Sequence, residues 1–424
     1  MGAARSKRSA SFTAPPQDDQ PLTEVQNNAA ENGSRPHSAP DIGRSGSASS
    51  SSRAPQAAPR DEGVVAGQKV GVLSFVRSGY SDCVAAIIRP PRANYTMQDL
   101  GPSTFRIRGR PFRREDFQLR NDSNLALECS WWVPDAQDTP PLPCVVYLHG
   151  NSSCRVDATE LLAPVLQTGA TLLAMDFAGC GMSEGSTITL GFREKDDART
   201  VIEHLRSSGK VSTIALWGRS MGAATALLHG HRDPSIAAMI LDSPFSSLET
   251  VARELIDHME VRPKPKALVS FALQMVRSSI KRRNGLDILK LNPIADVHTC
   301  FIPAVFVAAK DDQFVLPHHA RRIHDAYAGD KNIVMVDGTH NSRRPQYLHD
   351  SMAIFLHNRV CMPAGVEGLS EVAAEPRVFV SSRQAMGGAY PEESDDAALQ
   401  RALLLSLAAA GAAQDQETNV EEVT

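Results

Sequence analysis

The pentad Gly218-Arg219-Ser220-Met221-Gly222 sets a hydroxyl between two glycines, directly after the apolar run Ser212 to Gly218 and directly before the helix-forming stretch AATALLHG. A strand that ends on glycine, turns on one polar residue and restarts as a helix lifts that side chain above a sheet, and the glycines let backbone pass close beside it. A serine hydroxyl attacks only when a base takes its proton and an acid holds the base. Two later turns supply those groups: Asp311 and Asp312 follow the apolar run Ile302 to Lys310, and His340 follows Asn332 to Gly338. The chain order is therefore serine, acid, histidine. His340 is expected to be the general base and then the general acid, with Asp312 fixing its tautomer; Asp311, beside it, and Asp242, at the end of an earlier run, stay open as alternatives. The segment HGNSSCR, from His149 to Arg155, follows another apolar run and is where a backbone N–H of Asn151 or Ser152 pairs with that of Met221 to hold an oxyanion. His149 itself is expected to brace that loop.

Other chemistries are less well supplied. The pair His318-His319 suggests a metal, yet no carboxylate or cysteine stands at ligand spacing, so no metal is expected. These two histidines, with His349 and His357, read as surface residues on or beside helices. The glycine-rich stretch Met175 to Gly185 lacks the lysine of a phosphate loop and reads as a turn lining the pocket. No cofactor is called for.

The residues that position this chemistry show a consistent pattern. Continuous apolar runs at 144–150, 170–177, 212–218, 236–243, 302–310 and 332–338 do not alternate, which is the mark of strands buried on both faces of a parallel sheet. Between them lie helical periodicities, such as Arg193 to Ser208 with Ala198, Val201, Ile202 and Leu205 on one face, and the β-α-β-α order gives a doubly wound α/β domain. The alternating stretches Glu115 to Arg120 and Leu125 to Val133 form a strand hairpin ahead of it. The interval 244–299 is too long for one crossover helix and is read as a helical cap. It carries the apolar positions Leu268, Phe271, Ala272, Met275 and Val276 beside the basic cluster Arg277, Lys281, Arg282 and Arg283. That makes either a lid with a solvated face or a surface for an anionic membrane.

Residues 1–68 are rich in Ser, Ala, Pro, Gln and Gly and are expected to be disordered, as is the linker 361–393. The hydrolytic core is bounded at 84–360, and a last short helix is placed at 394–411. A net charge of −4 over 424 residues, without basic and aromatic residues interleaved, excludes nucleic acid as a partner. The seven cysteines are scattered and form no CxxC pair, which fits reduced thiols in a cytoplasmic protein. No apolar run approaches the ~20 residues of a membrane span. The start Met1-Gly2-Ala3-Ala4-Arg5-Ser6 fits the pattern for myristoylation of Gly2, which with Arg5, Lys7 and Arg8 would hold the chain loosely at the cytoplasmic face of a membrane.

Taken in order, HGN, DFxGxGxS, GRSMG, LDSPF, the DDxFV loop and GTHNS, with IIRPPR at Ile87 to Arg92, resemble serine hydrolases of the α/β-hydrolase superfamily. Within it they are similar to the eukaryotic branch close to protein depalmitoylases of the domain-containing-17 type. The likeness covers roughly Val84 to Val360. It implies an α/β-hydrolase fold, a mostly parallel central sheet flanked by helices with a small helical cap. The implied activity is cleavage of acyl esters or thioesters through an acyl-enzyme on Ser220, with a palmitoylated membrane protein as one substrate and a lipid, small ester or peptide as others. One departure stands out: the strand before the acid ends AAKDD where relatives show a His-Gly or Gly turn, which bears on the choice between Asp311 and Asp312. The C-terminal helix, with Leu399, Ala402, Leu403 and Ser406 behind the acidic EESDD, resembles a ubiquitin-interacting motif but lacks an acid after Ser406. A helix docking on its own domain or pairing with another copy fits the same residues. A reading of another class makes the chain an inactive, membrane-attached, ubiquitin-binding adaptor.

Overall fold

The computed structural model describes Ile88, residues 91–258 and residues 266–360. Gly2, the segment 1–68, the linker 361–393 and the 394–411 helix with Leu399, Ala402, Leu403 and Ser406 lie outside the described residues.

Nine strands form one sheet: β1 (Thr104–Ile107), β2 (Arg110–Arg120), β3 (Ala126–Pro134), β4 (Leu142–Leu148), β5 (Thr171–Met175), β6 (Val211–Arg219), β7 (Ala238–Asp242), β8 (Ala304–Ala309) and β9 (Lys331–Val336). Their order is β1-β2-β3-β5-β4-β6-β7-β8-β9. The first three strands pair antiparallel, β3 meets β5 antiparallel, and from β5 onward every pairing is parallel. Every residue of β4, β5, β7 and β8 is buried, as uninterrupted apolar runs require when helices cover both faces. β2 instead exposes alternate residues and stays at the edge of the core. The short β1, Thr-Phe-Arg-Ile, has too little apolar content to announce itself, and it exists because its register with β2 pairs Phe105 with Phe112, whose rings lie 5.9 Å apart.

The helices in chain order are α1 (Leu162–Leu166), α2 (Glu194–Ser207), α3 (Met221–Gly230), α4 (Leu248–His258), α5 (Lys266–Asn284), α6 (His318–Ala326) and α7 (Gln346–Arg359). Alternate residues of one strand feed two apolar clusters, one on each face of the sheet. Val146 and Leu148 join Leu216, Ala223, Leu227 and the inward stripe of α2, Ala198, Val201, Ile202 and Leu205. Val145 and Tyr147 join Trp217, Leu162, Val165, Leu348, Met352 and Leu356. α3 is buried at nearly every residue, which its small side chains allow, and it packs under the sheet's centre.

α4 and α5 occupy the long interval between β7 and β8. Two of the four cations of the basic cluster there are turned onto one acid: Arg277 holds Asp287 with Nε and Nη2 at 2.7 and 2.8 Å, and Lys281 Nζ lies 4.0 Å from it. Cys129, Cys144, Cys154, Cys180 and Cys300 are buried free thiols. Among the described residues no helix is long and apolar enough to cross a membrane.

Candidate active site

β6 delivers Ser220 to the carboxyl edge of the sheet, and α3 begins one residue later. Between them the chain turns so sharply that Ser220 takes φ 51° and ψ −113°, a backbone state that costs a side-chain-bearing residue ~1–3 kcal/mol. The glycines explain how the turn closes. A Cβ on Gly218 would stand 2.3 Å from the Gly222 carbonyl oxygen, and one on Gly222 would stand 1.9 Å from that of Leu148. Ser220 N–H is tied sideways to Asp242 O at 2.7 Å, so the strained residue is pinned to β7 as well as to its own strand.

The turns after β8 and β9 bring two of the expected partners to this hydroxyl. His340 Nε2 lies 3.0 Å from Ser220 Oγ, and His340 Nδ1 lies 2.7 Å from Asp312 Oδ2. The other Asp312 oxygen accepts the N–H groups of Phe314 and Val315 at 3.0 and 2.8 Å. With Nδ1–H donated to the carboxylate, Nε2 turns its lone pair toward the serine proton. All three groups are nearly dry, with exposures of 8 % for Ser220, 6 % for His340 and 1 % for Asp312, and the Phe314 ring stands edge-on 5.2 Å from the imidazole. The two rival acids have other partners. Asp311 is exposed and accepts from Gly338 N–H, while both oxygens of Asp242 are held by Arg344 at 2.8 Å. Burial by itself would push the Asp242 carboxyl up; Arg344 and Arg219 outweigh it and hold the group below its ordinary value.

The loop after β4 lies against Ser220, since a Cβ on Gly150 would sit 3.9 Å from Ser220 Cβ. His149 braces it, as the sequence suggested: Nδ1–H donates to Gly150 O at 2.7 Å, and Nε2 accepts Phe177 N–H at 3.1 Å, which binds this loop to the glycine-rich one. The ring is fully buried, and burial lowers its pKa below the ordinary histidine value, consistent with a neutral brace. Ala224 N–H is the first amide of α3 to reach a helical acceptor, Ser220 O at 3.0 Å, which leaves the Met221 amide among the orphan donors of a helix start. Asn151 Oδ1 and Ser152 Oγ are buried without a hydrogen-bond partner among the described residues, and Ser152 holds φ 54°.

Two of the four histidines read as surface residues depart from that reading. His319 is fully buried and His349 is 6 % exposed, because each lies on the inward face of its helix; His357 is exposed. The fold also brings in the carboxylate that local spacing could not show. Glu254 of α4 lies against the start of α6, with Oε1 3.0 Å from His318 Nε2 and Oε2 2.7 Å from His319 Nε2. This trio has metal-ligand types, but its geometry suits protons better. The two rings are stacked at 4.6 Å with a 25° tilt, and each Nε2 lies against its own Glu254 oxygen. Ser246 N–H also donates to His319 Nδ1 at 3.2 Å, which puts that ring's hydrogen on Nε2, where it donates to Glu254. Sequence reasoning also passed over Arg219 and Arg344. Their only local signal was position, one inside the pentad and the other four residues after His340.

A parallel-centred sheet with an antiparallel first edge, a sharp serine turn after a central strand, and an aspartate and a histidine on the two following turns define the α/β-hydrolase architecture. The comparisons agree. The serine aminopeptidase S33 family model matches residues 139–284. Rv2307c of Mycobacterium tuberculosis (strain ATCC 25618 / H37Rv) is 31 % identical over 215 residues, 50 % of this chain and 67 % of that one. YqkD of Bacillus subtilis (strain 168) is 27 % identical over 204 residues, 47 % of this chain and 64 % of that one, and human ABHD12B is 27 % identical over 135 residues, 30 % and 36 %. The matched segment thus spans less than two thirds of YqkD and about a third of ABHD12B. Among solved structures, the Pyrococcus furiosus esterase Pf2001 superposes with a TM-score of 0.50 at 20 % identity, over 65 % of this chain and 99 % of that one. The chain belongs to the α/β-hydrolase superfamily.

Proposed function

We propose that the protein is a serine hydrolase that cleaves acyl ester or thioester bonds. The observation that carries the proposal is the buried relay Ser220–His340–Asp312, with consecutive separations of 3.0 and 2.7 Å. In this reading Ser220 Oγ attacks the acyl carbonyl carbon as His340 Nε2 takes its proton. The oxygen of the tetrahedral adduct gains charge and is held by the backbone N–H groups of Met221 and Asn151. His340 then returns the proton to the leaving alcohol or thiol, which departs and leaves the acyl-enzyme. Water enters, gives its proton to His340 and its oxygen to the carbonyl carbon, and Ser220 leaves reprotonated. Asp312 balances the imidazolium in both halves, and no cofactor or metal takes part.

The motif resemblance favours a fatty-acylated protein thiol as the acyl donor, with Gly2 myristoylation placing the enzyme at the membrane that holds such substrates and the 394–411 helix offering a ubiquitin contact. The description of the matching family favours an amide in its place. Labelling with a fluorophosphonate probe tests the mechanism: the native protein is expected to label and Ser220→Ala to remain unlabelled. An unlabelled native protein would leave the adaptor reading. Turnover of 4-nitrophenyl acyl esters, a palmitoyl thioester and aminoacyl anilides then separates the substrate classes.

A further inference from the structure

Beside the relay, three charged residues from three separate strands and turns meet largely out of water. Asp242 ends β7 and is 4 % exposed, Arg344 follows the histidine turn and is 6 % exposed, and the Arg219 side chain, beside the nucleophile, is 15 % exposed. Arg344 grips Asp242 in two parallel bonds, Nε to Oδ2 and Nη2 to Oδ1, both 2.8 Å. That leaves the rest of its fork for the backbone of the turn: Nη1 donates to Thr339 O and Ser342 O at 3.2 and 3.1 Å. Arg219 Nη2 reaches the same turn from the other side, donating to His340 O at 2.8 Å and Ser342 O at 3.1 Å. The carbonyls of Thr339, His340 and Ser342 are therefore all held by guanidinium groups.

The same Asp242 also supplies, through its carbonyl, the acceptor for Ser220 N–H at 2.7 Å. One residue thus refers both reacting groups to a common point: the serine through backbone, the histidine through Arg344. Arg219 makes a second, shorter link, because it is bonded covalently to Ser220 and by hydrogen bond to the carbonyl of His340. A cavity of about 30 Å³, room for about one water, lies against this cluster and is lined by Tyr147, Asp157 and Trp217.

We propose that Arg219 and Arg344, referenced to Asp242, are positioning residues that set the distance between His340 Nε2 and Ser220 Oγ. This rests on the serine hydrolase reading. A bidentate fork is required because a lysine offers one point of charge, which can satisfy Asp242 or the turn but cannot lock their mutual angle.

The test compares the native full-length protein with Arg344→Lys, Arg219→Lys and the double variant Asp242→Asn/Arg344→Gln, which removes both charges of the buried pair so that neither is left alone. Each variant is checked for native circular dichroism before use. Displacing the imidazole by the order of 1 Å costs ~10²-fold, so we expect fluorophosphonate labelling and kcat to fall by that order in the double variant and by less in the lysine variants, with KM unchanged. The second readout is the downfield proton NMR signal of the His340 Nδ1–H, identified by its loss in His340→Ala, which is expected to broaden or shift in every variant. Folded variants with native kcat and an unaltered signal would overturn the proposal. A fall in stability alone, with kcat and the signal intact, would also overturn it. If the native protein neither labels nor turns over substrate, the serine hydrolase reading fails while the NMR comparison still decides the positioning.

Discussion

Gly222→Ala pits two physical effects of opposite sign against each other. Gly222 is the second residue of α3, in helical backbone with no positive φ, so intrinsic propensity alone says that alanine stabilises the helix by ~1 kcal/mol. Packing says the reverse. The new Cβ would stand 1.9 Å from Leu148 O, 2.5 Å from Leu148 C and 2.8 Å from His149 O. Ordinary carbon contact begins near 3.4 Å, so the helix start must retreat by about 1.5 Å. The atoms it meets are backbone of β4, whose Leu148 is in register with Gly218 of β6, so they cannot rotate away as a side chain would. Overpacking against yielding neighbours costs ~1–3 kcal/mol, and against a central strand the cost lies at or above the top of that range. The expected result is a net loss of at least ~2–3 kcal/mol in urea unfolding followed by circular dichroism, together with loss of probe labelling, because the retreat carries Met221 N–H and Ser220 with it. Gly209→Ala is the control: φ is +67° but the space is open, so only backbone strain of ~1–2 kcal/mol applies and labelling should be native. An alanine at 222 as stable as glycine, in an active protein, would refute the claim that the crossing of α3 over β4 requires a glycine.

Asn151→Ala should lower turnover less than ~10-fold, since the donor assigned to Asn151 is its backbone N–H; a loss of ~10²–10³ would move the oxyanion contact to the side-chain amide. His319→Asn should flatten the acid side of the stability profile, measured as Tm from pH 8 to pH 5. Burial, the larger effect, pulls the His319 imidazole below its ordinary value against the opposing pull of Glu254. The unfolded chain therefore takes up its proton first, and stability is lost as the pH falls from ~6.5 through the folded value. Asparagine keeps an acceptor for Ser246 N–H without the titration. His149, His229 and His349 are shifted the same way and preserve part of the slope, so an unchanged profile is the result that counts against this assignment.

What the sequence made legible follows from how local each signal is. The parallel strands could be read because burial on both faces writes an unbroken apolar run, as in Leu142–Leu148 and Ala304–Ala309. The turn at Ser220 could be read because its pentad is compact in sequence and Gly218 is required by Gly222 itself, although the contact that requires Gly222 comes from Leu148 of β4. β1 could not, since nothing in Thr-Phe-Arg-Ile makes a strand until β2 is there to pair with it. The burial of His319 and His349 was missed for a related reason: a histidine on a helix shows its face only when the partner surface is known, and Glu254 arrives from 65 residues away.

The acid illustrates the limit most sharply. Spacing offers Asp242, Asp311 and Asp312 on comparable turns, and no local property separates them. They are separated by what each one faces: solvent and Gly338 N–H for Asp311, a bidentate arginine for Asp242, and the imidazole for Asp312. Arg344 lies four residues beyond His340, so the cation that occupies Asp242 travels on the same turn as the imidazole that faces Asp312. A turn that carries both the histidine and the counter-charge for the rival carboxylate selects its partner twice, once by reaching Asp312 and once by engaging Asp242 elsewhere. Moving the carboxylate partner of His340 to β7 would therefore require removing Arg344 as well as Asp312: without Asp312 alone, Asp242 stays engaged by Arg344, and without Arg344 alone, His340 stays paired with Asp312.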